Sequence, residues 1–95
     1  MILLDKDGKE VSDLRLGIVA AGTSKEFQYF IMNNSPAELV NIEMHLKHKE
    51  IKVKKMPDTI PAEMRAEMII EWSPSLTLKQ GLKVDFNISG EEIYE

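Results

Sequence analysis

The chain contains no cysteine, so disulfides, thiolate metal centres and a cysteine nucleophile are all excluded, and the composition suits a reducing compartment. No apolar run approaches the roughly 20 residues that a membrane-crossing helix needs, and no membrane partner is expected. The opening stretch MILLDKDGKE has no basic n-region and only three apolar residues after Met1. No secretory signal is expected there, which places the protein in the cytoplasm or in a particle assembled inside a cell. Gly8, Gly17, Gly22, Gly81 and Gly90 are scattered, so they form no phosphate-cradling loop. No GxSxG elbow or comparable context sets a serine, a histidine and an acid in the arrangement of a triad. On these grounds no catalytic residue and no cofactor is expected.

Positive charge is also scarce. Twelve basic residues face sixteen acidic ones, for a net charge of -4, the wrong sign for general nucleic-acid binding. The charge is uneven. Residues 47–55 hold five lysines (Lys47, Lys49, Lys52, Lys54, Lys55) against one glutamate, whereas residues 56–95 hold three basic residues against eight acidic ones. The lysine cluster has two readings: protection of a sheet edge against further strands, or a grip on an acidic partner patch, a second copy of the chain included. No aromatic residue is interleaved with these lysines, which weighs against single-stranded nucleic acid.

What is present is alternation. Ninety-five residues make one domain, and a chain of this size buries roughly 60–65% of the surface it exposes when unfolded, enough for one core. The organising stretch is Ala62 to Pro74, where Ala62, Met64, Ala66, Met68, Ile70 and Trp72 take every second position. A period of two places them on one face of a strand. Trp72, the only tryptophan, supplies the largest apolar side chain, and Pro74 stops the ladder.

The remaining segments read as partners for that face. Ile2–Leu4 is followed by Asp5-Lys6-Asp7-Gly8, an Asp-Gly turn signal, so residues 1–13 are expected to form an N-terminal hairpin. Leu14, Leu16 and Ile18 alternate, with Gly17 marking a bulge or a close backbone approach, up to a turn at Gly22-Thr23-Ser24. In Lys25–Met32, Phe27, Tyr29 and Ile31 share one face while Phe30 and Met32 share the other. Asn33-Asn34-Ser35-Pro36 reads as a loop. Residues 36–49 are ambiguous. Ser35, Pro36 and Glu38 make a good helix start, but Val40, Ile42, Met44 and Leu46 alternate without a break, and pattern decides for a strand. Ile51 and Val53 suggest a short edge strand. Residues 56–61, with two prolines, form a rigid connector, and Leu82, Val84, Phe86 and Ile88 make the cleanest strand, ended by Gly90 and followed by an acidic tail over residues 91–95. About seven short strands separated by turn residues predict an all-β sandwich over residues 14–90. The expected core is Phe27, Tyr29, Ile31, Val40, Ile42, Met44, Leu46, Met68, Ile70, Trp72, Leu82, Val84, Phe86 and Ile88.

Few residues carry candidate chemistry. His45 and His48 would share a face on a helix and hold a metal together, but on a strand they point apart. The strand reading therefore leaves no metal ligand. Asp5-Lys6-Asp7-Gly8 lacks the later ligands of a calcium loop and reads as turn chemistry. Phe30, Met32 and Ile69 lie opposite the expected core faces, where either a covering element or a partner protein would pack on them.

Leu16-Gly17-Ile18, Gly22-Thr23-Ser24, a strand ending at Asn33, then Leu39 and Ile42 resemble the first half of an immunoglobulin-like domain of the hydin and major-sperm-protein type. Asp58-Thr59-Ile60-Pro61, Ile70-Glu71-Trp72-Ser73-Pro74 and Ile88-Ser89-Gly90 resemble its second half. One departure stands out: the family commonly has glycine in the turn after the proline, and this chain has Ala62-Glu63. The resemblance implies a non-enzymatic binding or scaffolding module, and similar small sandwiches recur as decoration and tail proteins of tailed bacteriophages. It therefore implies a structural subunit of a larger assembly, such as a virion head decoration or tail accessory protein, whose partners are other protein subunits or copies of itself. Its contacts are expected at Phe30, Met32, Ile69 and the five lysines. A cytosolic adaptor that adds an extended peptide to a sheet edge is the second expectation, and a metal-dependent activity at His45 and His48 the third.

Overall fold

A computed structural model describes residues 1–94. Among these residues there are nine strands and no helix: β1 (Ile2–Leu4), β2 (Leu14–Gly17), β3 (Lys25–Met32), β4 (Glu38–Leu46), β5 (Ile51–Lys55), β6 (Thr59–Ile60), β7 (Arg65–Trp72), β8 (Leu82–Val84) and β9 (Phe86–Ile93). The first sheet has the order β1-β3-β7-β5, and two smaller sheets have the orders β2-β8 and β6-β4-β9. All pairings are antiparallel. Because only Asp85 separates β8 from β9, the two smaller sheets are joined through one chain segment into a second layer. The fold is an all-β, sandwich-like arrangement. One cluster of buried residues drawn from both layers, with Leu3, Leu14, Ile31, Ile60, Met68, Ile70 and Trp72 at its most enclosed points, forms the core.

The alternation of β3 and β7 sets that core. Tyr29 and Ile31 oppose Met68 and Ala66, and Phe27 opposes Ile70, so the two inward rows meet. The N-terminal hairpin docks on its own chain, with Leu3 opposite Ile31. Its turn is held by Asp5, whose Oδ1 accepts the N–H groups of Asp7 (2.9 Å) and Lys9 (3.0 Å). That is turn chemistry, as expected. The return arm is a single bridge at Glu10 rather than a strand.

Residues 38–46 form a strand, as the alternating pattern requires, but the inward phase differs from the expected one. Leu39 and Ile42 are buried and Val40 is only half-buried. A bulge between Val40 and Glu43 explains this: Asn41 sits at φ 51, and the extra residue moves Leu39 inward before the bulge and Ile42 after it. Gly90 lies opposite this bulge, where a Cβ would come within 3.0 Å of Leu39 Cδ1. Gly90 does not end the strand. β9 runs on to Ile93, so residues 91–93 pair with β4 instead of forming a tail. The connector at residues 56–61 contains β6, which places Ile60 in the core. Gly17, at φ 68, marks the register shift between β2 and β8, and beyond it Ile18 turns outward while Val19 is buried.

Glu63 stands where the resemblance led us to expect glycine, and it occupies the left-handed region at φ 59. A side chain there crowds the following carbonyl. Glu63→Gly keeps the backbone bond from Glu63 N–H to Ser35 O and is expected to raise stability by about 0.5–1 kcal/mol after the added chain entropy of glycine is subtracted. Urea denaturation of the two proteins measures the difference.

Candidate interaction surface

In an antiparallel sheet, directly opposed residues point to the same side. The outer face of the first sheet therefore reads as rows: Ile2, Met32 and Arg65; Leu4, Phe30 and Glu67; Gln28, Ile69 and Lys55; Glu26, Glu71 and Lys52. Ile2, Leu4, Phe30 and Met32 make one apolar corner, all half-buried. The Arg65 guanidinium caps it, 4.8 Å from the centre of the Phe30 ring, a cation over the face of an aromatic ring.

The rest of the face is a charged ladder. Glu67 receives Lys55 Nζ at 2.7 Å and the Gln28 side-chain amide. The hydrogen bond from Lys55, followed by that from Gln28, holds its carboxyl below the usual range. Glu71 lies 3.3 Å from Lys52 Nζ and 3.7 Å from Lys54 Nζ. A bulge between Val53 and Lys55 brings Lys55 to the outer face, where strict alternation would have turned it inward. Ile69 sits inside this ladder, between Gln28 and Lys55. The structure thus gathers six of the eight expected contact residues, Phe30, Met32, Ile69, Lys52, Lys54 and Lys55, on one sheet face. Lys47 and Lys49 stand apart, exposed in the turn between β4 and β5. Three residues of the apolar corner and its cap, Ile2, Leu4 and Arg65, were not expected. Ile2 and Leu4 flank the inward Leu3, so alternation alone would have flagged them once β1 was known to pair with β3.

The histidines take separate roles. His45 is exposed on β4, with Nε2 3.4 Å from Glu43. His48 lies beyond the strand, in the turn, where its Nδ1 accepts the N–H of Glu50 at 3.2 Å and its ring meets Trp72 edge-on at 6.4 Å. Glu50 in turn accepts both the N–H (2.8 Å) and the Oγ–H (2.6 Å) of Ser75. Those bonds are the main reason its carboxyl stays below the usual range. This cluster fastens the loop after β7 to the β4–β5 turn. Among the described residues no three His, Cys, Asp or Glu side chains converge as metal ligands. A hollow of about 360 Å³ beside the N-terminal hairpin is lined by Asp5, Glu10, Asp13 and Arg15 among others; Asp5 is engaged by its turn and Asp13 by Arg15 (3.0 Å) and Lys83 (3.5 Å).

Compared with known proteins, the chain matches no family model, no curated protein and no solved structure, so its function is argued from this geometry.

Proposed function

We propose that this chain is a non-enzymatic interaction subunit of a larger assembly, bound to neighbouring protein subunits through the outer face of the β1-β3-β7-β5 sheet. The observation that carries the reading is the apolar corner of Ile2, Leu4, Phe30 and Met32 beneath Arg65. A face that is apolar at one end and neutralised by internal ion pairs at the other gives up little hydration when covered, and aromatic, methionine and arginine side chains are the types enriched at such contacts. The edge lysines add selectivity more than affinity, because their charges are already matched by Glu67 and Glu71. The resemblance to immunoglobulin-like accessory proteins of tailed bacteriophages supports a virion head or tail as the assembly.

The test is mass by light scattering, on the purified chain across a concentration series and on its mixture with native particles. The expected result is a species heavier than one chain. Phe30→Ser combined with Met32→Ser is expected to weaken that association by about a hundredfold, in line with the loss of two central apolar contacts, while the circular dichroism spectrum is unchanged. A single-chain mass under every condition would overturn the proposal.

A further inference from the structure

The edges of the two layers are not equally guarded. β1 has only three residues, and its open side is closed by the return arm of the hairpin through Val11 N–H to Leu3 O (2.8 Å) and Asp5 N–H to Lys9 O (2.8 Å). β5 carries Lys52, Lys54 and Lys55 and a bulge, and β6 is two residues long. These are the usual ways of refusing another strand. β9 has none of them. It is eight residues long, contains no proline or lysine, and among the described residues pairs on one side only, with β4. The extra residue at their bulge belongs to β4, not to β9. From Ser89 to Ile93 every residue is exposed, so the backbone groups directed away from β4 face water.

The charge along this edge selects what can add to it. The segment 85–93 carries Asp85, Glu91 and Glu92 and no basic residue, and Glu38 lies opposite Ile93 on the neighbouring strand. Two copies paired edge to edge through β9 would bring carboxylates together. A strand with lysine or arginine at alternate positions would be matched. At the end of the strand, Pro36, Ala37, Pro61, Ala62, Ile93 and Tyr94, with Glu38 as the one charged member, line a hollow of about 400 Å³, and Ile93 and Tyr94 are 45% and 67% exposed. We infer that the free edge of β9 accepts an extended basic segment of a partner protein as an added antiparallel strand, with an apolar residue just N-terminal to the basic run seated in this hollow. The inference rests on the reading of the chain as a binding module, but it uses a surface separate from the apolar corner.

The experiment is amide hydrogen exchange on the full chain with a blocked peptide that begins with leucine and continues as alternating lysine and valine. Controls are the same peptide with glutamate for lysine and one with N-methylated backbone. The basic peptide is expected to slow exchange at alternate amides of residues 86–93 and to bind at least about tenfold more tightly than the acidic one. The N-methylated peptide is expected not to bind. Asp85→Lys with Glu92→Lys, both at exposed positions, is expected to reverse the charge preference while leaving the association mass of the chain unchanged. Glu91 is left in place because it accepts the side-chain amide of Asn41 at the bulge. Absence of protection at millimolar basic peptide, protection confined to β5 or the outer sheet face, or equal binding of the N-methylated peptide would each overturn the inference. Loss of association in the Phe30 and Met32 variant would leave the β9 result intact, so the two readings fail separately.

Discussion

Asn33→Ala is expected to cost about 3 kcal/mol, because one buried amide joins three segments. Asn33 is 1% exposed. Its Nδ2 donates to the carbonyls of Ala37 (2.8 Å), Ile60 (3.0 Å) and Pro61 (3.2 Å), and its Oδ1 accepts the N–H of Ser35 at 3.1 Å. Its backbone N–H reaches Met64 O at 2.9 Å. The side chain therefore ties the end of β3 to the start of β4 and the end of β6, while the backbone N–H, which alanine keeps, holds the approach to β7. Alanine leaves buried carbonyls without a donor, and each such group costs about 1–3 kcal/mol, partly relieved where water can enter. Asn33→Asp is the sharper probe. It keeps size and acceptor but loses the donor, so a carboxylate would face three carbonyl oxygens. It is expected to be at least as damaging as alanine at neutral pH and to recover partly in acid, where the protonated group regains one donor. Asn34→Ala is the control, since Asn34 is exposed and only receives the N-terminal ammonium at 2.7 Å, and its cost is expected to stay within about 0.5 kcal/mol. Urea denaturation followed by circular dichroism separates the three. Because Met32 and Arg65 lie next to this junction, loosening it is also expected to disturb the apolar corner used for association.

That junction was not legible in the sequence, where Asn33-Asn34-Ser35-Pro36 has the composition of any loop. The difference between the structural Asn33 and the solvated Asn34 is a matter of which carbonyls come near, and those belong to segments up to 28 positions away. The strands themselves were far more legible. A period of two is imposed by the backbone, so β3, β7 and the Leu82–Ile88 run declared their inward faces directly. The pattern failed where the period is interrupted: at Asn41, where a bulge put Leu39 rather than Val40 in the core, and at Lys54, where another put Lys55 outside. Hydrophobic alternation cannot show such an insertion, because it is set by the register between strands. The candidate face divides the same way. Phe30, Met32 and Ile69 were visible as apolar residues on the wrong side of a core strand, whereas Ile2, Leu4 and Arg65 join them only because β1 and β7 both pair with β3 in one register. The open edge of β9 was hidden because Gly90 read as a stop. In the structure Gly90 is instead where β9 passes close to Leu39, and the strand continues beyond it.

Trp72→Ala is expected to cost about 4 kcal/mol, the range for emptying a large aromatic site in a packed core, whereas Trp72→Phe is expected to cost only about 1 kcal/mol. Both substitutions remove the same unmet donor, and they differ in the cavity that they leave. Trp72 is 1% exposed, and its Nε1–H is enclosed without a hydrogen-bond partner among the described residues. The Glu50 carboxylate feels that N–H enough to be kept ionised in small part by it, but it stands outside bonding geometry and is already occupied by Ser75. An unmet buried donor carries a penalty of about 1–3 kcal/mol. Phenylalanine removes the donor along with part of the ring, so the relief offsets much of the cavity. Alanine removes the donor as well, but it leaves Met68, Ile70 and the His48 ring facing a void that the sheet cannot close. Since Trp72 is the only tryptophan, unfolding must be followed by circular dichroism rather than indole fluorescence. A cost for Trp72→Phe well above about 1 kcal/mol, with the cost of Trp72→Ala raised by a similar amount, would mean that the indole N–H is satisfied in solution, with Glu50 as its acceptor. The cluster of His48, Glu50 and Ser75 would then be part of what fixes the core as well as of what fastens the loop.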